Sequence, residues 1–410
     1  MRSYFLALDL GTSQIKALAA KSEKSESGGW QIVLPALRKS KGIKQGVLID
    51  VNELAEEVDS LIAEMEGMLK NVTFHEAVVG VNDPNLETRV SKGVAVVSRP
   101  NQEIGEEDKE RARKAAQAFA LPSNRVLVQS AFKSYLIDGI SKVKDPLGMK
   151  GLKIEVECLM FDAFAPVIKN IDRLSEMINI DLTPEIVLPF AGAEIALSPQ
   201  DKDLGAVALD LGAGTTGYCV YENNEILDLK IFPLGGNNVT NDIAVGLKTY
   251  VDVAEKIKIN EGAALGKKIA KGDFFDINHY WEEADSETKV SKKFVAEIME
   301  ARLLEIFDLI SERLKQIDRF GKLPGGIVLY GGGAKISFIT ELAKEKFKLP
   351  VRIAKPEIEW YKENPDPSLI PVLGLLQQKY QRTKTESESF TFKGGPLGKI
   401  FNTFKNIFSV

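Results

Sequence analysis

The chain has 410 residues, of which 44% are hydrophobic and 27% are charged, which is enough apolar sequence to bury two cores. Its 53 basic and 58 acidic residues give a formal net charge of −5, which excludes a general electrostatic attraction to nucleic acid or to an anionic membrane. Cys158 and Cys219 lie in apolar, strand-like runs and are predicted to be buried free thiols in a reducing compartment. Since no signal-type segment or apolar run of ~18 residues is present, a cytoplasmic protein is expected.

A predicted β-hairpin opens the chain, and a related one follows near its middle. The strand YFLALDLG (4–11) leads into TSQIKALAAK (12–21), and GAVALDLG (205–212) leads into AGTTGYCVYE (213–222). An aspartate near the end of a strand, followed by glycine and hydroxyl residues, directs backbone N–H groups and hydroxyls towards a phosphate. One such turn is weak evidence because ordinary turns share its composition. Two copies predict a pair of hairpins around one phosphate-bearing ligand.

The segment between the hairpins holds a small α/β pattern. Its predicted strands are VSKGVAVVSRP (90–100), RVLVQSAFKSYLIDG (125–139) and LKIEVECLMFDAF (152–164), and its helix is EEDKERARKAAQAFA (106–120). A further predicted helix, PFAGAEIALS (189–198), precedes the second hairpin.

Two features after the second hairpin predict further parts of a ligand site. Glu255 and Lys258 are three residues apart in a predicted helix, so both reach one face, although a surface ion pair has the same spacing. The stretch GGIVLYGGGAKI (325–336) ends a strand in three glycines before the helix SFITELAKEKF (337–347). Consecutive glycines let the backbone approach a flat ligand closely, which a plain strand-to-helix turn does not require.

The last thirty residues change in character. QRTKTESESFTFKGG (381–395) lacks apolar periodicity and is predicted to be a flexible linker. GPLGKIFNTFKNIFSV (395–410) is predicted to form an amphipathic helix. Its apolar face consists of Leu397, Ile400, Phe401, Phe404, Ile407 and Phe408. Such a helix commonly docks on its own domain, but a long polar linker and three phenylalanines on one face favour the headgroup boundary of a membrane.

The two hairpins, the helix PFAGAEIALS and the triple-glycine strand occur in the order found in the actin-like ATPase superfamily, which this sequence resembles. The resemblance implies that this helix is the one that connects the two halves of the fold. Within it the chain resembles the FtsA family over nearly its whole length. The stretches that carry this resemblance are KDPLGMKG (144–151), FPLGGNNVTNDIAVGLKT (232–249), VAEKIKINEG (253–262) and MEARLLEIFDLI (299–310). The resemblance implies an α/β, two-domain actin-like ATPase fold, with a 1C subdomain inserted in the first domain and a C-terminal amphipathic helix.

The same resemblance implies a division of the chain into subdomains. The expected parts are subdomain 1A (1–81 and 163–200), subdomain 1C (82–162), subdomain 2A (201–234 and 301–380), subdomain 2B (235–300), the linker (381–395) and the membrane-targeting helix (396–410).

An ATP site follows from the resemblance, residue by residue. Asp9 and Asp210 would face each other and hold Mg²⁺ through water. The residues expected around the β- and γ-phosphates are Gly11, Thr12, Ser13, Lys16, Gly212, Gly214, Thr215 and Thr216. The residues expected around the adenosine are Gly235, Gly236, Glu255, Lys258, Gly331, Gly332 and Gly333.

A catalytic residue is not assigned. Actin-like enzymes usually orient the attacking water with Gln or Glu near the start of the connecting helix, where this chain has Leu188 before Pro189, with Glu185 and Glu194 nearby. At most a slow ATPase is therefore expected, with ATP serving mainly as a polymerisation cofactor.

The resemblance also implies partners and a location. It implies a self-polymerising division protein that tethers FtsZ filaments to the cytoplasmic face of the cell membrane at the division site. The FtsZ C-terminal tail would bind subdomain 2B, later division proteins would bind subdomain 1C, and nucleic acid is not an expected partner. The alternatives are a PilM-like pilus-assembly protein, an MreB-type cell-shape actin and a small-molecule kinase of the same fold.

Overall fold

Two five-stranded sheets and one four-stranded sheet form the framework of the computed structural model, which describes residues 4–23, 29–70, 72–281 and 289–393. The strands are β1 Tyr4–Leu10, β2 Gln14–Glu23, β3 Gly29–Lys39, β4 Ile43–Lys44, β5 Val47–Leu48, β6 Glu76–Val81, β7 Glu87–Val96, β8 Arg125–Ile137, β9 Ser141–Val143, β10 Lys153–Phe164, β11 Asp181–Val187, β12 Ala206–Leu211, β13 Thr216–Glu222, β14 Glu225–Phe232, β15 Phe274–Asp276, β16 Lys289–Ser291, β17 Gly326–Tyr330 and β18 Val351–Ile353. The helices are α1 Val51–Leu69, α2 Glu106–Gln117, α3 Ala165–Ile178, α4 Leu188–Ala196, α5 Pro199–Leu204, α6 Gly236–Leu247, α7 Val251–Glu261, α8 Lys292–Gln316, α9 Ile339–Phe347, α10 Glu359–Glu363 and α11 Ile370–Lys393.

The two larger sheets share one topology. Their strand orders are β3-β2-β1-β6-β11 and β14-β13-β12-β17-β18, and in each an antiparallel three-stranded meander continues into two parallel strands. The repeated ALDLG ends β1 in one sheet and β12 in the other, and each strand pairs with the strand that follows it. The predicted pair of related hairpins is therefore confirmed, and the repeat marks the same position in two domains.

Each repeated strand lies at the centre of a core. Ala7, Leu8, Ala208 and Leu209 are fully buried, because β1 and β12 are covered on both faces. Near-continuous apolar strands of this kind are typical of sheets packed between helices. The central position holds the aspartates at the strand ends rigidly at the edge of each sheet.

The residues between β6 and β11 form a separate sheet with the order β7-β10-β8-β9, covered by α2. Gly93 permits the close contact with α2, since a Cβ there would lie 2.0 Å from the carbonyl oxygen of Ala112. The sequence predicts one strand through residue 139, but the structure turns at Asp138 and Gly139, both with left-handed φ, into the short strand β9. The Asp-Gly pair is the local signal for this hairpin.

Asp162 fixes the insertion at the point where it rejoins the first domain. This fully buried carboxylate pairs with Arg89 of β7 at 2.8 Å and with Arg125 of β8. Gln129 of β8 accepts a hydrogen bond from the N–H of Val187 in β11 at 2.9 Å. The ion pairs of Asp162 hold three strands of the inserted sheet together, and the Gln129–Val187 bond ties that sheet to the sheet of the first domain.

Helices α4 and α11 join the two domains. The Tyr330 hydroxyl of β17 donates to the carbonyl oxygen of Pro189 in α4 at 3.3 Å. Gly192 gives space for the Tyr330 ring, and Gly374 of α11 packs against the backbone of Ala191.

Cys158 and Cys219 are buried free thiols, which confirms the prediction made from the sequence.

Helix α11 extends to Lys393, which corrects the prediction of a flexible linker over most of 381–395. The physical reason is that Gln, Arg, Lys and Glu in this stretch are good helix formers, and glycine first occurs at Gly394. The predicted amphipathic helix at 396–410 lies outside the described residues. Within the described part of the chain, every helix is too short or too polar to cross a bilayer.

Candidate nucleotide-binding cleft

A cleft of about 370 Å³ lies between the two hairpins, within the size range typical of small-ligand pockets. It brings together fifteen of the residues that the sequence assigns to the ATP site: Asp9, Gly11, Thr12, Ser13, Lys16, Asp210, Gly212, Gly214, Thr215, Gly236, Glu255, Lys258, Gly331, Gly332 and Gly333. These residues come from five separate segments of the chain. Their convergence is a property of the fold, since the hairpins stand at corresponding edges of the two sheets.

Two of the assigned residues do not line the cleft. Thr216 is fully buried, and its hydroxyl donates to the carbonyl oxygen of Leu234 at 2.8 Å. Gly235 precedes α6, and a Cβ there would lie 2.6 Å from the carbonyl oxygen of Gly212. Thr216 therefore holds the strand ends together, and Gly235 allows the chain to pass close behind the second hairpin turn.

The cleft contains an acidic pair beside one lysine. Asp9 is 3% exposed and forms an ion pair with Lys16 at 2.8 Å, across the two strands of the first hairpin. Burial alone would lower the pKa of Lys16, but the charge and hydrogen bond of Asp9, together with the charges of Asp210 and Asp366, outweigh it and leave that pKa raised. Asp210 is partly exposed to the cleft. Burial of its carboxyl group by the surrounding protein, and secondly the negative charge of Asp9, raise the pKa of Asp210 from 3.8 to about 7.

This acidic pair has the chemistry that a hydrated divalent cation requires. Two carboxylates that disfavour each other's charge gain from a cation between them, and Mg²⁺ keeps several of its own waters in protein sites. Within the described residues, no group of three or more His, Cys, Asp or Glu side chains could hold a metal directly. Asp9 and Asp210 therefore fit Mg²⁺ held through water better than a fully protein-ligated metal.

The raised pKa of Asp210 predicts a pH dependence of stability. Because the folded state binds this proton more tightly than the unfolded state, the associated stability is fully present below pH 3.8 and is lost as the pH rises through about 7. Asp210→Asn mimics the protonated form, so without Mg²⁺ and nucleotide it is expected to gain stability over the parent chain between pH 5 and 8, by roughly 1–3 kcal/mol. Urea unfolding across this pH range measures the difference, and a constant difference would contradict the prediction.

The two hairpin turns approach each other closely. A Cβ on Gly214 would lie 2.3 Å from the Thr12 hydroxyl oxygen, so this contact depends on glycine. Asn82, at the end of β6, donates from its side-chain nitrogen to the Thr215 hydroxyl at 2.9 Å. The N–H of Gly46 donates to the Thr12 hydroxyl at 3.1 Å. Both turns are thus held by residues of the first domain.

The second domain forms the side of the cleft where the sequence predicts the adenosine. Lys258 in α7 is 2.6 Å from Glu255, 2.8 Å from the Thr240 hydroxyl of α6 and 3.2 Å from the carbonyl oxygen of Gly236. Glu255 and Lys258 are thus not merely a surface ion pair, because the helix face that carries them lines the cleft. Gly331 has φ 83°, and a Cβ there would lie 2.2 Å from the Asp210 carboxylate, so glycine is required beside the acidic pair.

Leu188, at the position that the sequence analysis compared with the water-orienting residue of actin-like enzymes, also lines the cleft. Ten further residues of the cleft were missed in the sequence: Gln14, Asn82, Ala213, Ile259, Gly262, Lys335, Ile336, Ser337, Ser368 and Pro371. Lys335 and Ser337 lie two and four residues after the last of the three glycines, and Gln14 follows the first turn. Their closeness in sequence to predicted site residues was a signal that could have found them. Asn82, Ser368 and Pro371 come from distant segments, and their place becomes apparent once the strand order is known.

Leu188 is the residue of α4 that lines the cleft. Glu194 lies farther along α4, where it accepts hydrogen bonds from Lys202 at 2.9 Å and Tyr221 at 2.5 Å. Glu185 is exposed on β11. The start of α4 thus presents an apolar side chain, and neither nearby glutamate lines the cleft.

Comparison with known proteins agrees with this architecture. The family model described as cell division protein FtsA matches residues 207–374, and the model of the SHS2 domain inserted in FtsA matches residues 86–161. The cell division protein FtsA of Pseudomonas aeruginosa is 30% identical over 351 residues, which cover 86% of this chain and 82% of that protein. The Bacillus subtilis protein of the same name is 29% identical over 389 residues, 95% of this chain and 86% of its own length.

Solved structures share the fold. A PilM–PilN type IV pilus biogenesis complex matches with a TM-score of 0.61 at 17% identity, over 91% of this chain and 98% of the other. MreB5 of Spiroplasma citri bound to AMPPNP matches with a TM-score of 0.56 at 14% identity, over 95% of this chain and 98% of the other. These confirm the α/β, two-domain actin-like fold, and the SHS2 match confirms the inserted domain. The chain belongs to the FtsA family of cell division proteins.

Proposed function

We propose that this protein binds ATP with Mg²⁺, polymerises, and tethers FtsZ filaments to the membrane at the division site. The observation that carries the proposal is the cleft between the duplicated hairpins, where two carboxylates, one lysine and the glycine-rich turns converge. The structural similarity to an AMPPNP-bound MreB supports a nucleotide as the ligand. We propose the cytoplasmic face of the membrane as the location of the protein because the chain belongs to the FtsA family.

In the proposed complex, Asp9 and Asp210 would hold Mg²⁺ through water, which would supply positive charge beside the phosphate chain. The turns after β1 and β12 offer backbone N–H groups and the Thr12, Ser13 and Thr215 hydroxyls to the phosphates. Because Leu188 is apolar and lines the cleft, it cannot orient an attacking water. We therefore propose that hydrolysis is slow and that bound ATP mainly stabilises the closed arrangement of domains for polymerisation.

We propose that the FtsZ C-terminal tail docks on residues 235–300. Several large apolar side chains of this region are exposed, which is a common mark of a protein-binding surface. They are Val245, Tyr250, Val251, Phe274 and Phe294. The Tyr250 ring, 61% exposed, meets Trp281 edge to face at 5.6 Å, so it is held in place at the surface. Aromatic anchors of this kind contribute strongly to peptide binding.

Tyr250→Glu is expected to weaken binding of an FtsZ C-terminal peptide at least ~10-fold, because it removes an aromatic anchor and adds a charge. Leu204→Glu is the matched control, since Leu204 is 49% exposed on α5, outside the proposed surface. Fluorescence anisotropy with a labelled peptide measures both. Equal affinities for the two variants would place the FtsZ tail elsewhere.

We propose that the predicted C-terminal helix anchors the protein to lipid, and that polymerisation multiplies this weak contact. Removing residues 396–410, or replacing Phe401 and Phe404 with Asp, is expected to release the protein from liposomes while nucleotide binding stays unchanged. Flotation with lipid measures the first effect and nucleotide titration the second. Continued flotation of the truncated chain would overturn this assignment.

The inserted domain is proposed to contact neighbouring subunits and later division proteins. Its β7 is an edge strand of the four-stranded sheet and exposes Val90, Val94 and Val96 on one face. An exposed apolar edge strand can add a strand or pack against a partner. This arrangement supports an interaction role for the insertion.

A further inference from the structure

Two threonine hydroxyls that line the cleft, one from each hairpin turn, already accept a hydrogen bond from the first domain. The Thr12 oxygen accepts the N–H of Gly46 at 3.1 Å. The Thr215 oxygen accepts the side-chain amide of Asn82 at 2.9 Å. Both donors come from outside the hairpin turn that carries the threonine.

These bonds fix the polarity of the hydroxyls. A threonine hydroxyl has one proton to donate and two lone pairs with which to accept. Because an N–H donor occupies a lone pair, the hydroxyl proton of each threonine is left to donate to another group. Thr215 is only 6% exposed and opens onto the cleft, so the remaining partner is a ligand in that cleft. Two hydroxyls that donate from opposite sides suit an anion.

The turn that supplies the Gly46 N–H contacts both domains. Gln45 and Gly46 form the two-residue turn between β4 and β5, with left-handed φ values of 49° and 77°. The Gln45 side chain donates to the carbonyl oxygen of Pro233, in the second domain, at 3.0 Å. A Cβ on Gly46 would lie 2.6 Å from the Asn82 carbonyl oxygen and 2.8 Å from the Thr215 methyl group. The turn therefore packs directly against Asn82 and the second hairpin.

We propose that Asn82 and the Gly46 N–H are positioning groups that orient the Thr215 and Thr12 hydroxyls towards the terminal phosphate of a nucleoside triphosphate. This inference rests on the proposed nucleotide binding and deepens it. The adenosine side of the cleft, with Glu255, Lys258 and the three glycines, belongs to the second domain. Asn82 and Gly46 belong to the first domain. A nucleotide whose adenosine lies on the second domain would therefore bring the distal end of its phosphate chain to the oriented hydroxyls. The protein thereby favours a triphosphate over a diphosphate.

Asn82→Asp is the decisive variant. It keeps the shape of the side chain, but an ionised carboxylate only accepts, so the Thr215 hydroxyl turns its proton towards residue 82 and away from the ligand. Isothermal titration of the full chain measures dissociation constants for AMPPNP and ADP, each with Mg²⁺. We expect Asn82→Asp to weaken AMPPNP binding at least ~10-fold more than ADP binding, the scale of one lost charge-assisted hydrogen bond.

Two further variants separate orientation from charge and from folding. Asn52→Asp adds the same charge at an exposed position in the first turn of α1 and is expected to leave both affinities unchanged. Thr215→Val keeps the shape of the threonine but has no proton to donate, so it is expected to lower AMPPNP affinity selectively. In a Thr215→Val background, Asn82→Asp is expected to lose most of its selective effect, as a double-mutant cycle will show.

The outcomes distinguish this inference from the proposed function. Failure of the parent chain to bind either nucleotide contradicts the proposed function itself. If both nucleotides bind the parent but Asn82→Asp weakens them equally, or leaves them unchanged, the positioning role is wrong. A full selective effect of Asn82→Asp in the Thr215→Val background also overturns it, because charge alone would then be responsible. Should Asn82→Asp fail to fold in a thermal melt, an unselective Thr215→Val overturns the inference instead.

Discussion

Gly214→Val is expected to abolish measurable nucleotide binding while both sheets remain folded. The first atom of the new side chain would lie 2.3 Å from the Thr12 hydroxyl oxygen and 2.8 Å from its Cβ, so the two hairpin turns would be forced apart. Separation of the turns displaces the groups proposed to hold the phosphates. Since correctly placed phosphate donors supply much of the binding energy, we expect affinity to fall at least ~100-fold, equivalent to about 2.7 kcal/mol.

The matched control for this variant is Gly272→Val, because a Cβ at that exposed position meets no atom within 4 Å. It is expected to bind AMPPNP as the parent chain does. Circular dichroism shows whether each variant keeps its secondary structure, and titration gives the affinity. A folded Gly214→Val protein with parental affinity would contradict the assignment of the two turns to the phosphates.

Gly374→Ala is expected to destabilise the protein by about 3 kcal/mol, although glycine-to-alanine substitution in a helix normally stabilises by about 1 kcal/mol. A Cβ at this position of α11 would lie 2.0 Å from the carbonyl oxygen of Ala191 and 3.0 Å from the N atom of Gly192. Backbone atoms of α4 cannot rotate away as a flexible side chain can, so the two helices must separate. The packing penalty therefore outweighs the gain in helix propensity.

Gly67→Ala makes the same substitution in α1, at an exposed position with nothing within 4 Å of the new Cβ. It is expected to stabilise by up to about 1 kcal/mol, so the two variants should change stability in opposite directions. Urea unfolding of both chains measures the free energies. A neutral or stabilising Gly374→Ala would show that α4 and α11 are not packed backbone to backbone.

The duplicated hairpin could be predicted because its signal is local. Asp9 and Asp210 end apolar strands and precede glycine and hydroxyl residues, and both positions line the cleft. Thr216 has the same composition signal as Thr215, yet its side chain points into the protein. Successive side chains of a strand point to opposite faces, so only one of two adjacent threonines can face the cleft. The sequence alone does not say which one it is.

The position of Asn82 in the cleft could not be predicted from the residues next to it in the sequence. It follows a strand that forms the sheet with β1 and β11, and its contact with Thr215 joins residues 133 positions apart. Nothing in the neighbouring residues VGVNDPN (79–85) distinguishes this asparagine from an ordinary turn residue.

The helix over residues 381–393 did have a local signal. It was missed because the polar composition of this stretch was given more weight than the helix propensity of its residues.

An experimental structure of the full chain with Mg²⁺ and AMPPNP tests the proposed nucleotide site most directly. We expect density for the phosphate chain between the turns that follow β1 and β12. We also expect a hydrated Mg²⁺ between the carboxylates of Asp9 and Asp210, and the adenine near Glu255, Lys258 and Gly331–Gly333. A nucleotide bound elsewhere, or an ordered cleft without nucleotide at saturating concentration, would contradict the central claim.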